Sequence, residues 1–445
     1  QNHLQQGKKE HIVLDRTLNA GAWIQERRKG LGLTQKAFAE LLGMSETGEL
    51  TVRGWELGEH LPTPAKCAQI KKLPESPLLR SPYSDDPESA DFSFIDLFAG
   101  IGGIRYPFQK QGGHCVFSSE WDRFSKKTYA ANFGEIPHGD ITKIYASDIP
   151  KHDLLVAGFP CQAFSQAGLK KGFNDTRGTM FFEIQRILAH HRPKAFLLEN
   201  VKQLKSHDQG RTLKIILDIL EGRTIAEIPK NVNMTKEARK SLSTKLNYRV
   251  GFQILKASNF GVPQNRQRVY IIGFDRDQIS AANKTNICAE IFDQLSKITC
   301  KTHVGDILEN NESVNPKYTI SDRLWAGHQR RLAIHKKNGN GFGYSLFTKN
   351  SPYTNTISAR YYKDGSEILI DQSDIGKNPR KLTPKECIGL QGFPDEYNID
   401  LVSDTQSYKQ FGNSVSVPVI DAIAIAMKPF ILKKIYFKFI IFYLL

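Results

Sequence analysis

The middle of the chain alternates short apolar runs with glycine-containing loops and with segments whose apolar residues recur at helical spacing. A short, continuous apolar run is typical of a strand that is buried on both faces. Strand, loop and helix repeated in this order predict an α/β fold with a doubly wound, mostly parallel sheet. The predicted strands are 92–98, 115–118, 154–157, 195–198 and 269–274. The predicted helices between them are 105–111, 124–131, 180–190 and 210–221.

Three later segments depart from this alternation. Residues 222–247 are polar and rich in lysine, which predicts an exposed excursion. Residues 275–380 combine Lys, Arg, Asn, Tyr and Gly with short strand-like pieces, which predicts a small, irregular, inserted domain. The chain then returns with a helix that Thr383 caps and that has Pro384 at its first position. A glycine turn follows, and then a second helix over 419–427.

The N-terminal residues 20–60 have the pattern of a helix-turn-helix. Thr34 is suited to cap the second helix, and the third helix would place Arg53 for contact with DNA. The pattern resembles the phage-repressor type of DNA-binding module. However, the turn 44–50 is longer than usual and Gly54 lies inside the third helix, so a small helical packing domain remains an alternative. The predicted helices include 23–28, 33–43 and 51–58.

These patterns divide the chain into domains joined by a Pro-, Ser- and Asp-rich linker. The predicted divisions are a helix-turn-helix domain at 1–72, the linker at 73–91, a catalytic domain at 92–274, the insert at 275–380, the return of the catalytic domain at 381–430 and an apolar tail at 431–445. The longest uninterrupted apolar run of the tail, Phe439–Leu445, is far below the roughly 20 residues that span a bilayer, so no membrane anchor is expected.

Composition adds a partner to this picture. The formal net charge of the 445 residues is +15, and an excess of this size most often indicates a nucleic-acid partner, although a merely soluble basic protein also fits. No two of the six cysteines have CxxC spacing, so neither a disulfide framework nor a zinc site is predicted. With no signal peptide in the sequence, a reducing cytoplasm is the expected location.

Three predicted strand ends carry candidate cofactor-binding residues. The glycine turn after the first strand allows close approach of a ligand to the backbone. After the second strand, Glu120 can accept from the hydroxyls of a ribose, and Trp121 offers a flat face for adenine. Asp140, which we expect to end a third strand, can hold the adenine amino group. Residues of these types also serve as ordinary turn and cap residues. The candidates in the glycine turn are Asp96, Phe98, Gly100, Gly102 and Gly103.

Candidate catalytic residues follow the later strands. Cys161 lies in the loop after the strand 154–157, where a thiol can act as a nucleophile or be a buried structural cysteine. Glu199 ends the next strand, and we expect a semi-apolar pocket to raise its pKa. Arg266 and Arg268 are two apart on a strand, so their guanidinium groups share a side and suit a carbonyl oxygen or a phosphate, unless they are a solvated pair.

Seven of these segments, in order, resemble the motifs of the C5-cytosine DNA methyltransferase family. The segments are DLFAGIGG, SSEWD, GDI, GFPCQAFSQAG, FLLENV, QNRQR and FGNSVSVPV. The resemblance covers 92–274 and 380–428. The insert resembles the target-recognition domains of Dcm-like enzymes, and the N-terminal module resembles that of regulatory methyltransferases in restriction–modification systems. The resemblance implies a Rossmann-like methyltransferase sheet and S-adenosylmethionine as methyl donor.

The resemblance also assigns roles to residues. Cys161 would add to C6 of a flipped-out cytosine, Glu199 would hold the ring N3 and the amine, and Arg268 would bind O2 with support from Arg266. Pro160 and Asn413 would complete the donor site, and the residues expected to contact double-stranded DNA are Gln162, Ser165, Arg360, Lys363 and Arg53.

The resemblance further suggests a restriction–modification system with a cognate endonuclease and a site of the CCNGG or CCWGG type. The sequence leaves open whether that endonuclease exists and whether the N-terminal module dimerises. A tRNA cytosine-5 methyltransferase and a DNA-binding repressor with an inactive catalytic domain are the alternatives. The insert and the helix-turn-helix favour duplex DNA over tRNA.

Overall fold

The computed structural model describes most of the chain, in eight stretches. They are residues 20–45, 47–73, 82–83, 85–160, 180–224, 227–228, 230 and 232–432. The chain divides into a small unit, Gln1–Arg80 with Gly134–Ile136, and a large unit, Ser81–Phe133 with Pro137–Leu445.

The described part of the small unit contains four helices around an apolar core that includes Ile24, Phe38 and Trp55. Thr34 Oγ1 accepts a hydrogen bond from the Ala37 amide at 3.0 Å, which confirms the predicted cap. A side chain at Gly54 would lie 2.1 Å from the His60 ring, so the glycine inside the third helix allows close packing. The third helix also begins earlier than predicted, which shortens the turn before it. The helices are α1 (Ala20–Gly30), α2 (Gln35–Leu41), α3 (Gly48–Leu57) and α4 (Pro64–Lys72).

The large unit is built on a six-stranded sheet with the strand order β2-β1-β3-β4-β6-β5. The first four strands in this order are parallel, and β6 runs antiparallel to both of its neighbours, so the predicted mostly parallel sheet is confirmed. The strands are β1 (Phe92–Leu97), β2 (Gly113–Ser119), β3 (Leu154–Gly158), β4 (Ala195–Val201), β5 (Tyr248–Lys256) and β6 (Gln267–Asp275). A short parallel pair, β7 (Leu346–Phe347) and β8 (Leu369–Ile370), lies in the predicted insert.

Helices cover both faces of the sheet, and this explains why its parallel strands are mostly apolar. In β3, Leu155 and Ala157 belong to one apolar cluster and Val156 to the other, and all three are fully buried. The helices of the large unit are α5 (Arg105–Lys110), α6 (Arg123–Phe133), α7 (Met180–His191), α8 (Arg211–Glu221), α9 (Lys236–Ser241), α10 (Ala281–Lys284), α11 (Ile287–Ser296), α12 (Asp322–Lys337), α13 (Pro384–Gln391), α14 (Asp404–Asn413) and α15 (Val417–Ile431).

The start of the predicted insert packs as part of the sheet domain. Helix α11 is amphipathic, and its apolar residues Ile287, Ile291 and Leu295 lie in the same buried cluster as Ile272 and Phe274 of the sheet. Packing therefore does not change at residue 275, where the sequence suggested a boundary, because two helices follow there that cover the sheet.

The segment 222–247 is exposed at many of its described positions, as expected, but it is anchored to the protein at others. Val232, Ala238 and Leu246 are buried in the core that covers one face of the sheet. Arg239 closes the loop before α9, since its guanidinium donates to the carbonyls of residues 228, 230 and 232. A lysine-rich sequence looked solvated because the few apolar residues that anchor it are far apart.

One described stretch, Asp404–Ile431, is long and apolar enough to cross a membrane by length and composition alone. Most of it is buried within the protein, as in the core helix of a globular domain.

Candidate active site

A cavity of about 870 Å³ opens at the carboxyl ends of β1 to β4. This is the edge of an open α/β sheet where ligands bind. Ten of the residues singled out from the sequence lie in its wall, although they come from segments far apart in the chain. They are Phe98, Gly100, Glu120, Trp121, Asp140, Pro160, Glu199, Arg266, Arg268 and Asn413.

The loop after β1 forms one end of the cavity. Phe98 and Gly100 both have positive φ angles, 53° and 55°, which turn the backbone sharply away from the strand. The Gly100 amide donates to Glu120 Oε2 at 2.7 Å, and the Asp122 amide donates to Oε1 at 2.8 Å. Burial raises the pKa of Glu120, while these backbone donors lower it. A side chain at Gly100 would meet no atom within 4 Å, so the loop leaves space for a ligand beside the backbone.

Trp121 and Asp140 also line the cavity, but Asp140 does not end a strand as we expected. Residues around it form only an isolated bridge, Ser119 to His138, and Asp140 instead caps a short 3₁₀ helix, Ile141–Lys143. Its Oδ1 accepts from the amide and the hydroxyl of Thr142, at 3.0 and 2.8 Å. Trp121 is 71 % exposed, which is unusual for so large an apolar ring and leaves its face open to a ligand.

Three predicted cofactor residues do not reach the cavity. Asp96 is 1 % exposed and accepts a hydrogen bond from Tyr129 Oη at 3.3 Å, so it supports the loop from below. A side chain at Gly102 would lie 2.1 Å from the Phe133 ring, and one at Gly103 would lie 2.8 Å from Val415. These two glycines therefore permit close packing, and direct contact with a ligand is not supported for them.

Strand register brings Glu199 next to the end of β3. In the pairing of β3 with β4, Gly158 lies opposite Glu199, and in the pairing of β4 with β6, Val201 lies opposite Arg268. The Arg268 Nε is 3.3 Å from Glu199 Oε1. Burial raises the pKa of Glu199, and the two arginines oppose this shift. The expected upward shift in the pKa of Glu199 is therefore confirmed. The cavity contains a carboxyl group that retains its proton to a higher pH than an ordinary glutamate does.

Arg266 lies beside this pair but has different partners. Only 3 % of the residue is exposed, and its guanidinium donates to the backbone carbonyls of Ile357 at 3.2 Å, Gly412 at 3.1 Å and Ser414. Ile357 belongs to the predicted insert, and the other two belong to the returning segment. Arg266 thus ties three parts of the chain together at the cavity wall.

The remaining predicted residues lie elsewhere or are not described. Pro160 lines the cavity, but Cys161, Gln162 and Ser165 lie outside the described residues. Arg360 and Lys363 are exposed on a turn of the insert, where the Ser358 hydroxyl accepts from the Arg360 amide at 3.2 Å. Neither lines the cavity. Arg53 is exposed on α3 of the small unit.

Part of the cavity wall comes from a segment in which no sequence pattern indicated a site. Asn233, Met234 and Thr235, from the segment that we expected to be an exposed excursion, line the cavity together with Met180 and Glu183. The segment belongs to none of the recognised motifs. Its one local signal is Thr235, which caps α9 and accepts from the Ala238 amide at 3.1 Å.

The fold and this site together define a class of enzyme, the C-5 cytosine-specific DNA methylases. That family matches residues 92–223 and 228–429, so the chain belongs to it. The protein is accordingly a DNA (cytosine-5-)-methyltransferase.

Relatives agree with this assignment. The chain is 54% identical over 409 residues to the type II methyltransferase M.SsoII of Shigella sonnei, covering 92% of this chain and 97% of that protein. It is 54% identical over 402 residues to the type II methyltransferase M1.ScrFI of Lactococcus lactis subsp. cremoris, covering 90% and 93%. The crystal structure of the S. pombe Dnmt2 methyltransferase has the same fold, with a TM-score of 0.58 at 19% identity over 76% of this chain and 99% of that one.

Proposed function

We propose that the enzyme transfers a methyl group from S-adenosylmethionine to C5 of a cytosine that is flipped out of a short duplex site. The observation that carries this proposal is the Glu199–Arg268 pair, which lies in the same cavity as Trp121 and the Gly100 loop. We further propose that it belongs to a restriction–modification system, as the type II names of its relatives suggest. A cytoplasmic location follows from such a role.

The residues of the cavity fit the proposed donor. Glu120 retains free lone pairs for the ribose hydroxyls, because each carboxylate oxygen accepts more than one hydrogen bond. The open face of Trp121 suits the adenine ring, and Asp140 Oδ2, which has no hydrogen bond within the described residues, can accept from the adenine amine. The Asn413 amide, exposed at the cavity wall, suits the methionine part. When bound, the donor supplies an electrophilic methyl group on a sulfonium.

The target base needs activation, because C5 of an aromatic pyrimidine is a poor nucleophile. We propose that the Cys161 thiolate forms a bond to C6, which makes C5 nucleophilic. Cys161 follows directly after Pro160, which lines the cavity. With its raised pKa, Glu199 can donate a proton toward N3 while Arg268 binds O2, so that negative charge does not build up on the ring. C5 would then form a bond to the methyl group as the bond from that methyl group to the sulfonium sulfur breaks. A base would take the C5 proton, and departure of the thiolate from C6 would restore the aromatic ring.

Contacts with DNA are proposed for the insert and for the loop after Cys161. Helix α12 spans 16 residues, yet His328 is its one buried residue, so most of its surface is free for a partner. Its exposed cations include Arg330, Arg331, Lys336 and Lys337, and Arg360 and Lys363 lie on the same insert. Such residues suit phosphates, while Arg or Gln side chains suit guanine edges in the major groove. We retain Gln162 and Ser165 as contacts near the flipped base, and a site of the CCNGG or CCWGG type.

For the small unit we propose a second role as a DNA-binding regulator. Its second and third helices have the order of a helix-turn-helix, and Arg53 is exposed on the third. In this proposal the unit binds an operator and can dimerise there, while a cognate endonuclease acts on unmethylated sites.

A covalent trap tests the proposed chemistry. A duplex with 5-fluorocytosine at the target should form a denaturation-resistant complex with the wild-type enzyme and the donor, because fluorine cannot leave as a proton does. Cys161→Ser should form none and should retain operator binding through the small unit. Active enzyme that forms no adduct would refute the thiolate step. Methylation of tRNA in preference to duplex DNA would favour the alternative substrate. Bisulfite sequencing of DNA from expressing cells identifies the site.

A further inference from the structure

The segment 232–240 forms a wall of the cavity that no family motif describes. Asn233, Met234 and Thr235 line the cavity on the side of Asp140 and Ile141. Met234 is half-buried and packs against the apolar core beneath it. Asn233 is exposed, and its amide makes no hydrogen bond within the described residues. The wall therefore presents to the cavity a partly exposed apolar side chain, Met234, and a side-chain amide, Asn233, that has no hydrogen bond within the described residues.

A buried ionic cluster holds this wall in place. The Thr235 amide and hydroxyl donate to Glu183 Oε1 at 3.3 and 3.0 Å. Glu183 in turn accepts from Arg186 Nε, and Arg186 Nη1 donates to Glu237 at 2.6 Å. The side chains of Glu183 and Arg186 are 2% and 1% exposed, so this pair is shielded from water, whereas the Glu237 side chain is 33% exposed.

The same guanidinium also holds the loop that follows Asp140. Arg186 Nη2 donates to the carbonyls of Ile141 at 2.7 Å and Ile144 at 2.8 Å. Two walls of the cavity, one with Asp140 and one with Asn233 and Met234, are thus fixed by one side chain. Groups positioned together in this way are suited to bind one part of one ligand.

We propose that Asn233 and Met234 contact the purine of S-adenosylmethionine, and that the Glu183–Arg186–Glu237 cluster positions them. This rests on the proposed function, in which Asp140 accepts from the purine amine. A thioether packs well on an aromatic ring, and a side-chain amide can donate to a ring nitrogen at the purine edge.

Calorimetric titration of the full-length protein tests the contact. S-adenosylhomocysteine and 5′-methylthioadenosine are the probes, since the second lacks the amino-acid part. Met234→Ala should raise the Kd for both by roughly tenfold, and Asn233→Ala by about threefold to tenfold. Asn413→Ala should raise it for S-adenosylhomocysteine alone. Lys240→Ala, on the same segment but outside the cavity wall, is the matched control and should leave both values unchanged.

Trp121→Ala separates this inference from the proposed function. If Trp121→Ala weakens binding while Met234→Ala and Asn233→Ala do not, the inference fails and the donor site stands. If none of the three weakens binding, the cavity is not the donor site and both fail.

Glu237→Gln tests the positioning cluster, because it keeps the shape of the side chain and removes its charge. We expect a higher KM for the donor with unchanged kcat and unchanged KM for DNA. A fall in kcat with the KM for the donor unchanged would overturn the positioning role.

Discussion

Arg266, which directly precedes β6, and Arg268, which lies on that strand, should respond differently to substitution. Arg266 is buried and donates to three backbone carbonyls from two other parts of the chain. In Arg266→Ala these acceptors lose their donor, at about 1–3 kcal/mol for each buried group that stays unsatisfied. Because water can enter the space and satisfy some of them, we expect a total loss of about 3–5 kcal/mol, less than three fully unsatisfied acceptors would cost.

Arg268 has fewer partners and a more open position. Its side chain is 14% exposed, and it contacts the Glu199 carboxyl and the neighbouring Gln267 carbonyl. We expect Arg268→Ala to cost no more than about 1–2 kcal/mol, since burial already favours the neutral form of Glu199 and loss of the neighbouring cation leaves no unpaired buried charge. Methyl transfer should nevertheless fall by about 10²–10³-fold, as expected when a donor to a developing oxyanion is removed.

Urea unfolding followed by circular dichroism gives the two stabilities, and transfer of a labelled methyl group to duplex DNA gives the two rates. The rates should be compared without urea, at a temperature at which both variants are folded. The reasoning is refuted if Arg266→Ala is as stable as Arg268→Ala, or if Arg268→Ala retains nearly wild-type kcat.

Three further predictions concern glycine, a carboxyl group and a histidine. Gly102→Ala should lower the free energy of unfolding by about 2–5 kcal/mol, because φ is 89° and the new methyl group would overlap the buried Phe133 ring. Gly100→Ala, where φ is 55° and the space is open, should lower it by only about 1–2 kcal/mol. The same urea titration measures both values. Burial raises the pKa of Glu199 above its ordinary 4.5, so just above pH 4.5 the folded state holds a proton that the unfolded state has lost. The free energy of unfolding should therefore fall as the pH rises from 4.5 through the pKa of the folded state. Glu199→Gln should flatten this part of a stability–pH curve. Burial lowers the pKa of His152 from 6.5 to about 4, so the unfolded state takes up a proton first as the pH is lowered. The free energy of unfolding should therefore decrease as the pH falls from 6.5 to 4. If His152→Asn shows the same decrease, the histidine is not its cause.

The parallel core was predictable from the sequence because its strands are buried on both faces and are therefore apolar at most positions. Strand β5 escaped the prediction because it lies at the edge of the sheet and most of its residues are only partly buried. The strand expected to end at Asp140 does not form, since the pairing there is limited to one bridge between Ser119 and His138. An apolar run is enough to indicate a buried strand. An Asp after a glycine, as at Asp140, can either end a strand or cap a helix, and the local sequence does not distinguish the two.

The sequence motifs predicted most of the residues that line the cavity, but they did not show which of their residues line it and which pack against other segments. Glycines of one turn divide between a position beside the cavity, Gly100, and positions that pack against other segments, Gly102 and Gly103. Their neighbours Phe133 and Val415 come from later helices and from the far end of the chain. Local spacing contains no information about such distant partners, so only the fold distinguishes the two cases.

The cavity is lined by irregular segments, and buried or half-buried arginines supply the hydrogen bonds that a regular ladder would otherwise provide. Arg186 donates hydrogen bonds to carbonyls of the loop after Asp140, and Arg239 donates to carbonyls of the loop before α9. Arg266 donates to carbonyls of the insert and of the returning segment. A buried carbonyl without a donor is costly, and a guanidinium offers five donors in a fixed fork that can reach several carbonyls at once. A lysine ammonium is a single compact centre and cannot span two segments in this way. The loops can therefore lack regular structure where they meet a ligand and still be fixed in position, which a site that must orient both a cofactor and a base requires.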